Sequence, residues 1–116
     1  MKVRKWQVAA VLSAVLLIGA VCLKLAHSRR ECRECLNNLR IIDAGTVSGA
    51  LACRYGCGEM VPIEEITAYI KDARLPCCPS DGYYILQPVG GVPMCSVHGD
   101  LLTAWEIRNL RRGTTP

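Results

Sequence analysis

The chain has 116 residues, a formal net charge of +4 and eight cysteines. That length allows one domain at most, and because 11 basic and 10 acidic side chains remain from Lys24 onward, the charge balance argues against a nucleic-acid-binding face. The same portion contains no phenylalanine, so its core would be thin and would need support from a helix, a disulfide, a metal or a neighbouring subunit.

The first predicted element is the apolar run WQVAAVLSAVLLIGAVCL, from Trp6 to Leu23. At a rise of about 1.5 Å per residue it nearly spans a hydrocarbon layer of roughly 30 Å, so it predicts a transmembrane helix. We place that helix at residues 6–26, after a short basic segment at 1–5. A cleaved signal peptide and a lipoprotein signal ending at Cys22 are the alternatives, although no small-x-small cleavage site follows the run.

The cysteine content indicates on which side of the membrane the rest of the chain lies. Basic residues flank the apolar run on both sides, so the positive-inside rule does not choose an orientation. Cysteine makes up about 7% of the chain, which is high for a reducing compartment and ordinary for a small exported domain. We therefore expect residues 27–102, here called the head, to lie outside the cytoplasm.

The head begins with a predicted amphipathic helix that continues the membrane helix to about Ala52 and ends at the glycines of CRYGCG. A second, shorter helix is predicted within VPIEEITAYIKDARLP, since Pro62 suits a helix start and Pro76 stops it. Two strands, Tyr83–Gln87 and Val92–Val97, are separated by a Pro-Val-Gly-Gly turn and predict a β-hairpin. The fold class is therefore α+β.

The remaining residues, 103–116, form a predicted tail, and a short helix is expected around Leu101 to Leu110. Neither the tail nor the head contains a Ser-His-Asp arrangement, a phosphate loop or a pair of carboxylates in an apolar setting. We therefore expect no enzymatic activity, no catalytic residue and no bound cofactor.

The cysteines permit three kinds of chemistry, of which metal binding is the first. Cys32-x-x-Cys35 and Cys53-x-x-x-Cys57 come close to a zinc-ribbon spacing. A continuous helix would separate Cys35 from Cys53 by roughly 27 Å, too far for one ion. Cys77, Cys78, Cys95 and His98 are further potential ligands, but a histidine beside Gly99 is more often a surface turn residue. We expect no metal.

Redox chemistry and a structural loop are the other two possibilities. A thioredoxin-like site needs its CxxC at a helix N-terminus after a strand, whereas Cys32 and Cys35 follow a membrane segment. A bond between Cys78 and Cys95 would instead close the hairpin, with a stabilisation of roughly 3 kcal/mol for a loop of about eighteen residues. Five thiols keep undecided roles: Cys32, Cys35, Cys53, Cys57 and Cys77.

Three collinear segments resemble one protein family. They read CLNNLRIIDA, LPCCPSDGYYILQPVG and VPMCSV, at residues 35–44, 75–90 and 92–97. Together with the intervening IEEITAYIK, they are similar to small pilin-like proteins of the type II secretion pseudopilin and type IV pilin group. The resemblance implies a long N-terminal helix beneath a small α+β head, and it supports the pairing of Cys78 with Cys95.

Function, location and partners follow from the resemblance as expectations. It implies a non-enzymatic structural subunit, single-pass in a bacterial inner membrane, in contact with lipid and with lateral pilin-like or secretion components. The start, MKVRKWQ, lacks the glycine and glutamate of a prepilin leader, so a relative that does not polymerise is included. The alternative function is a membrane-tethered cysteine-rich module that binds zinc or performs thiol redox chemistry.

Overall fold

The computed structural model describes residues 4–101, which form two compact units: residues up to 30, and residues from 31 onward. The elements in chain order are α1 (Lys5–Cys53), α2 (Ile63–Thr67), a 3-10 turn (Lys71–Ala73), and the strands β1 (Tyr84–Ile85), β2 (Met94–Cys95) and β3 (Gly99–Asp100). This is the α+β class that the sequence predicts. The expected helix around Leu101 to Leu110 and the tail lie outside the described residues, apart from Leu101 itself.

The first unit is the apolar part of α1. Every described side chain up to residue 30 is exposed, including large apolar ones such as Leu16 and Leu23, each 74% exposed. The helix is long and apolar enough to cross a membrane, and a signal sequence has the same properties. The expected apolar N-terminal helix is therefore present.

In the second unit, α1 buries one face along its length. The buried positions are mostly three or four residues apart, a spacing that returns a residue to the same face of the helix. They are Cys35, Leu36, Leu39, Ile42, Gly45, Gly49 and Ala50. The helix ends at Cys53, one residue from the predicted end, and Arg54 follows with a positive φ of 63°.

Two glycines of α1 allow α2 to lie directly against it. A Cβ built on Gly45 would come within 3.0 Å of the Ile66 carbonyl oxygen, and one on Gly49 within 3.1 Å of the Glu65 carbonyl oxygen. Glycine weakens a helix by about 1 kcal/mol relative to alanine. Because glycine has no side chain, the main chain of α2 can pack closely against the main chain of α1 at these two positions.

The second helix is shorter than predicted. It covers only Ile63–Thr67, and the 3-10 turn Lys71–Ala73 follows after Ile70. Asp72 and Ala73 in that turn have positive φ angles of 64° and 49°, which an α-helix does not accommodate. The expected inward residue Ile66 is buried, with 1% of its side chain exposed.

The strands form a three-stranded antiparallel sheet in the order β1-β2-β3. Tyr84 pairs with Cys95 across β1 and β2, and Cys95 pairs with Gly99 across β2 and β3. The predicted hairpin is thus confirmed with shorter strands, and β3 is an addition to it. Cys95 lies on the central strand, and the three-residue turn after it carries His98.

Candidate metal centre

Three segments of the head converge on one buried cluster of sulfur and nitrogen atoms. Cys35 belongs to the buried face of α1, and none of its surface is exposed. Cys78 lies in the loop before β1 and is 5% exposed, while Cys95 on β2 is 3% exposed. His98, in the turn between β2 and β3, is half-buried beside them. The cluster therefore joins the helix, the loop and the sheet.

The potential ligand atoms of the four side chains lie close to one another. The Sγ atoms of Cys78 and Cys95 are 3.6 Å apart, and the Nδ1 atom of His98 is 3.5 Å from the first and 3.7 Å from the second. With the Sγ atom of Cys35 included, all four potential ligand atoms lie within 4.8 Å of one another. The structure thus brings together Cys35 and both cysteines of the predicted disulfide.

Cys78 and Cys95 are adjacent in the structure as two thiols. All eight cysteines of the chain carry free sulfurs, so the predicted bond between this pair stays a prediction. Gly82 packs closely against Cys95, since a Cβ there would come within 3.1 Å of the Cys95 sulfur.

The turn that carries His98 also donates to the Cys95 sulfur. The backbone N–H of Val97 lies 3.4 Å from that sulfur. Burial raises the pKa of Cys95, but hydrogen bonds from the backbone of His98 and Val97 outweigh burial and lower the pKa to about 6. This thiol is therefore ready to ionise near neutral pH.

The pKa of Cys35 shifts in the opposite direction, because no comparable set of hydrogen bonds offsets the effect of burial. Burial is the largest cause, and it raises the pKa of Cys35 to about 12 despite a contact with the Tyr84 hydroxyl. Burial likewise raises the pKa of Tyr84. Without a cation, Cys35 is thus a neutral thiol beside a sulfur that ionises easily.

Ser80 and Glu31 form a short hydrogen-bonded chain, here called the relay, beside the Nε2 atom of His98. The Ser80 hydroxyl donates to the Glu31 carboxylate at 3.1 Å and lies 3.4 Å from Nε2 of His98. Because Ser80 gives its proton to Glu31, its oxygen accepts from Nε2–H. That assignment leaves Nδ1 of His98 unprotonated, with its lone pair towards the sulfurs.

Asn38 fixes the Cys78 loop to α1. Its amide nitrogen donates to the Cys77 carbonyl oxygen at 3.0 Å and to the Tyr84 hydroxyl at 3.1 Å. The side chain of Cys77 itself is exposed, so two adjacent cysteines point to different surroundings. Only Cys78 contributes to the cluster.

The remaining cysteines of undecided role are not among the four cluster residues. Cys32 is half-buried and packs against the same apolar core, whereas Cys53 and Cys57 are exposed. Since α1 is continuous from Cys35 to Cys53, the helical separation assumed for the zinc-ribbon spacing holds. The pKa of Cys53 is raised, chiefly by a hydrogen bond with Glu65. The Oε1 atom of Glu65 accepts from the Tyr55 hydroxyl at 3.3 Å, whereas its Oε2 atom is buried without a hydrogen-bond partner among the described residues.

The sequence names His98 as a potential ligand but favours a surface turn for it, whereas the structure places it in the cluster. One pattern could have found it: Cys95-x-x-His98 has the close spacing of two ligands contributed by one turn. Comparisons with models of protein families, with curated proteins and with solved structures found no match.

Proposed function

We propose that this chain is a non-enzymatic, membrane-anchored structural subunit of the pilin and pseudopilin type, in a type II secretion or type IV pilus-like assembly. Its helix packs laterally in a bacterial inner membrane, and its head lies outside the cytoplasm. A relative that stays out of filaments is part of the same proposal, because the N-terminal run lacks the prepilin glycine and glutamate.

The observation that most supports this proposal is that the apolar part of α1 is exposed on all of its faces. No side chain between residues 5 and 30 is buried within the described chain. A helix that is apolar all round needs lipid or other helices about it. The helix α1 is continuous from Lys5 to Cys53.

Element order gives further support. A long N-terminal helix, a short helix and a small antiparallel sheet succeed one another as the resemblance implies. The segments that carry the resemblance also supply Cys35, Cys78 and Cys95, which meet in the head.

Cys22 is a native probe for lateral assembly. It is exposed and lies within the apolar run, so oxidation in membranes should link it to Cys22 or another thiol of a neighbouring helix. We expect a covalent adduct in the wild type and its loss in Cys22→Ser, with mass spectrometry identifying the partner.

Two results would contradict this proposal. One is a head recovered in the soluble fraction without residues 1–26. The other is a membrane-bound chain that stays monomeric under oxidation while a control membrane protein is cross-linked. Adducts that persist in Cys22→Ser report contacts of head cysteines and do not count as helix packing.

The second candidate function is a membrane-tethered cysteine-rich module, and the cluster of Cys35, Cys78, Cys95 and His98 favours it. A thiol oxidoreductase would reduce a disulfide substrate and would lose that activity in Cys35→Ser. Absence of reductase activity in the wild type would eliminate the redox form of this candidate and leave the structural subunit.

A further inference from the structure

The three separations among Cys78, Cys95 and His98 match the edges of a metal-centred tetrahedron, and the Cys35 sulfur lies within 4.8 Å of each of the three. Zinc binds sulfur at about 2.3 Å and imidazole nitrogen at about 2.0–2.1 Å, so tetrahedral ligands lie about 3.8 Å apart for two sulfurs and about 3.6 Å apart for sulfur and nitrogen. The observed distances are 3.6 Å between the Cys78 and Cys95 sulfurs, and 3.5 Å and 3.7 Å from these to Nδ1 of His98.

From this geometry we propose that Cys35, Cys78, Cys95 and His98 bind one zinc ion in a closed Cys3His site. Thiolate and imidazole ligands in a tetrahedral arrangement suit zinc and disfavour magnesium and calcium, which take oxygen ligands. Four protein ligands leave no open coordination position, so the ion is structural. The site goes beyond the proposed function and does not depend on it.

When zinc binds, the thiols of the site release their protons. The three thiols lose their protons to solvent as sulfur–zinc bonds form, and His98 binds as neutral imidazole through Nδ1. Three thiolates and one zinc ion leave the site with one net negative charge. The Val97 N–H at 3.4 Å from the Cys95 sulfur is placed to offset part of that charge.

The relay behind His98 is a second, independent observation. A histidine that binds a metal commonly donates its other ring N–H to a neighbouring acceptor, which sets the tautomer and the ring orientation. Here Nε2 lies 3.4 Å from the Ser80 hydroxyl, which in turn donates to Glu31 at 3.1 Å. The same relay leaves Nδ1 free to bind a cation. Ser80 is therefore a positioning residue.

A zinc ion bound to these four residues would link three segments of the head. Its ligands come from α1, from the loop before β1 and from the β2–β3 turn, and the buried core around them is small. A disulfide between Cys78 and Cys95 would fasten only two of these segments and would consume two of the ligands. The two arrangements exclude each other, so one experiment distinguishes them.

The test compares adjacent cysteines in the full-length chain, extracted in detergent. We expect one zinc ion per chain in the wild type by elemental analysis, retention of zinc in Cys77→Ser, and loss of it in Cys78→Ser. Replacement by cobalt should give the absorption spectrum of a tetrahedral thiolate complex. Equal zinc contents in the two variants would overturn the assignment of Cys78.

A measurement on the wild type keeps the test valid if Cys78→Ser fails to fold. Alkylation followed by peptide mapping should leave Cys35, Cys78 and Cys95 unmodified until a chelator is added, whereas the exposed Cys53 and Cys57 should react with or without it. A wild-type chain with no zinc, or with a Cys78–Cys95 disulfide, would overturn the proposal.

Ser80→Ala tests the relay separately. We expect zinc affinity to fall by about tenfold, measured by competition with a chromophoric chelator, because loss of such a partner typically weakens metal binding by 10- to 100-fold. Unchanged affinity would remove Ser80 from its positioning role.

Discussion

Leu39→Ala should destabilise the head far more than the same substitution at Leu51. Both leucines lie on α1, but Leu39 is fully buried beneath the cysteine cluster and Leu51 is 77% exposed. The two substitutions remove the same atoms from the same helix, so helix propensity and chemistry are matched. Only burial differs between them.

The expected magnitude follows from that burial. Leucine to alanine removes three carbons, which are worth about 0.8 kcal/mol each on transfer from water, or about 2.4 kcal/mol in all. The cavity left behind adds to this, and buried leucines typically lose about 2–5 kcal/mol. Leu51→Ala should stay within about 0.5 kcal/mol of the wild type, as exposed substitutions usually do.

The change in head stability can be measured by hydrogen–deuterium exchange and mass spectrometry of the detergent-extracted chain. Because only peptides from the head are compared, the apolar part of α1 does not interfere. Metal concentration must be equal in all samples, because a ligand that binds only the folded state adds stability. Equal loss of protection in the two variants, or a loss below about 0.5 kcal/mol for Leu39→Ala, would refute the packing described here.

Three further predictions use the same exchange measurement. Gly45→Val should lower head stability by about 1–3 kcal/mol through overpacking against α2, whereas Gly19→Val, with no atom within 4 Å, should leave the head unchanged. Tyr55→Phe should lower head stability, because the Oε1 atom of Glu65 loses its donor; no change would show that water replaces that donor. Asp43→Asn should raise stability at pH 7, because burial raises the pKa of the Asp43 carboxyl in the folded state. The gain should shrink as the pH falls and vanish below the carboxyl's ordinary pKa of 3.8, where the wild-type group is protonated in both states. A gain that is independent of pH would contradict the last explanation.

Local patterns predict the long helix and the hairpin, but not the third strand, Gly99–Asp100. The unbroken apolar run and the spacing of Leu36, Leu39 and Ile42 predict one long helix, because each pattern depends only on residues near in sequence. The glycine pair before Val92 likewise predicts the hairpin. α2 is shorter than the apolar spacing predicts, because the backbone becomes extended at Ile70, with φ −104° and ψ 142°, and apolar spacing does not record that change.

The candidate site is harder to predict from the sequence than the helices and strands, because its residues are far apart along the chain. Cys35 and Cys78 meet only once the loop before β1 folds back on α1 through Asn38, and no spacing rule encodes that contact. His98 resembles any histidine in a glycine-containing turn until Ser80 and Glu31 are seen behind it. Tertiary structure therefore decides which cysteines share a site.

The cluster also alters the argument from cysteine content to compartment. Cysteines that bind zinc are as compatible with a reducing environment as with an oxidising one. Placement of the head outside the cytoplasm then depends on the resemblance alone, and a fusion of a topology reporter to the C-terminus would test it.

The most direct test of a shared metal centre is zinc X-ray absorption on the full-length, detergent-extracted protein. The proposed site predicts a four-ligand shell with three sulfurs at about 2.3 Å and one nitrogen at about 2.0 Å. A shell without sulfur, or a protein that carries no zinc and has Cys78 bonded to Cys95, would contradict it.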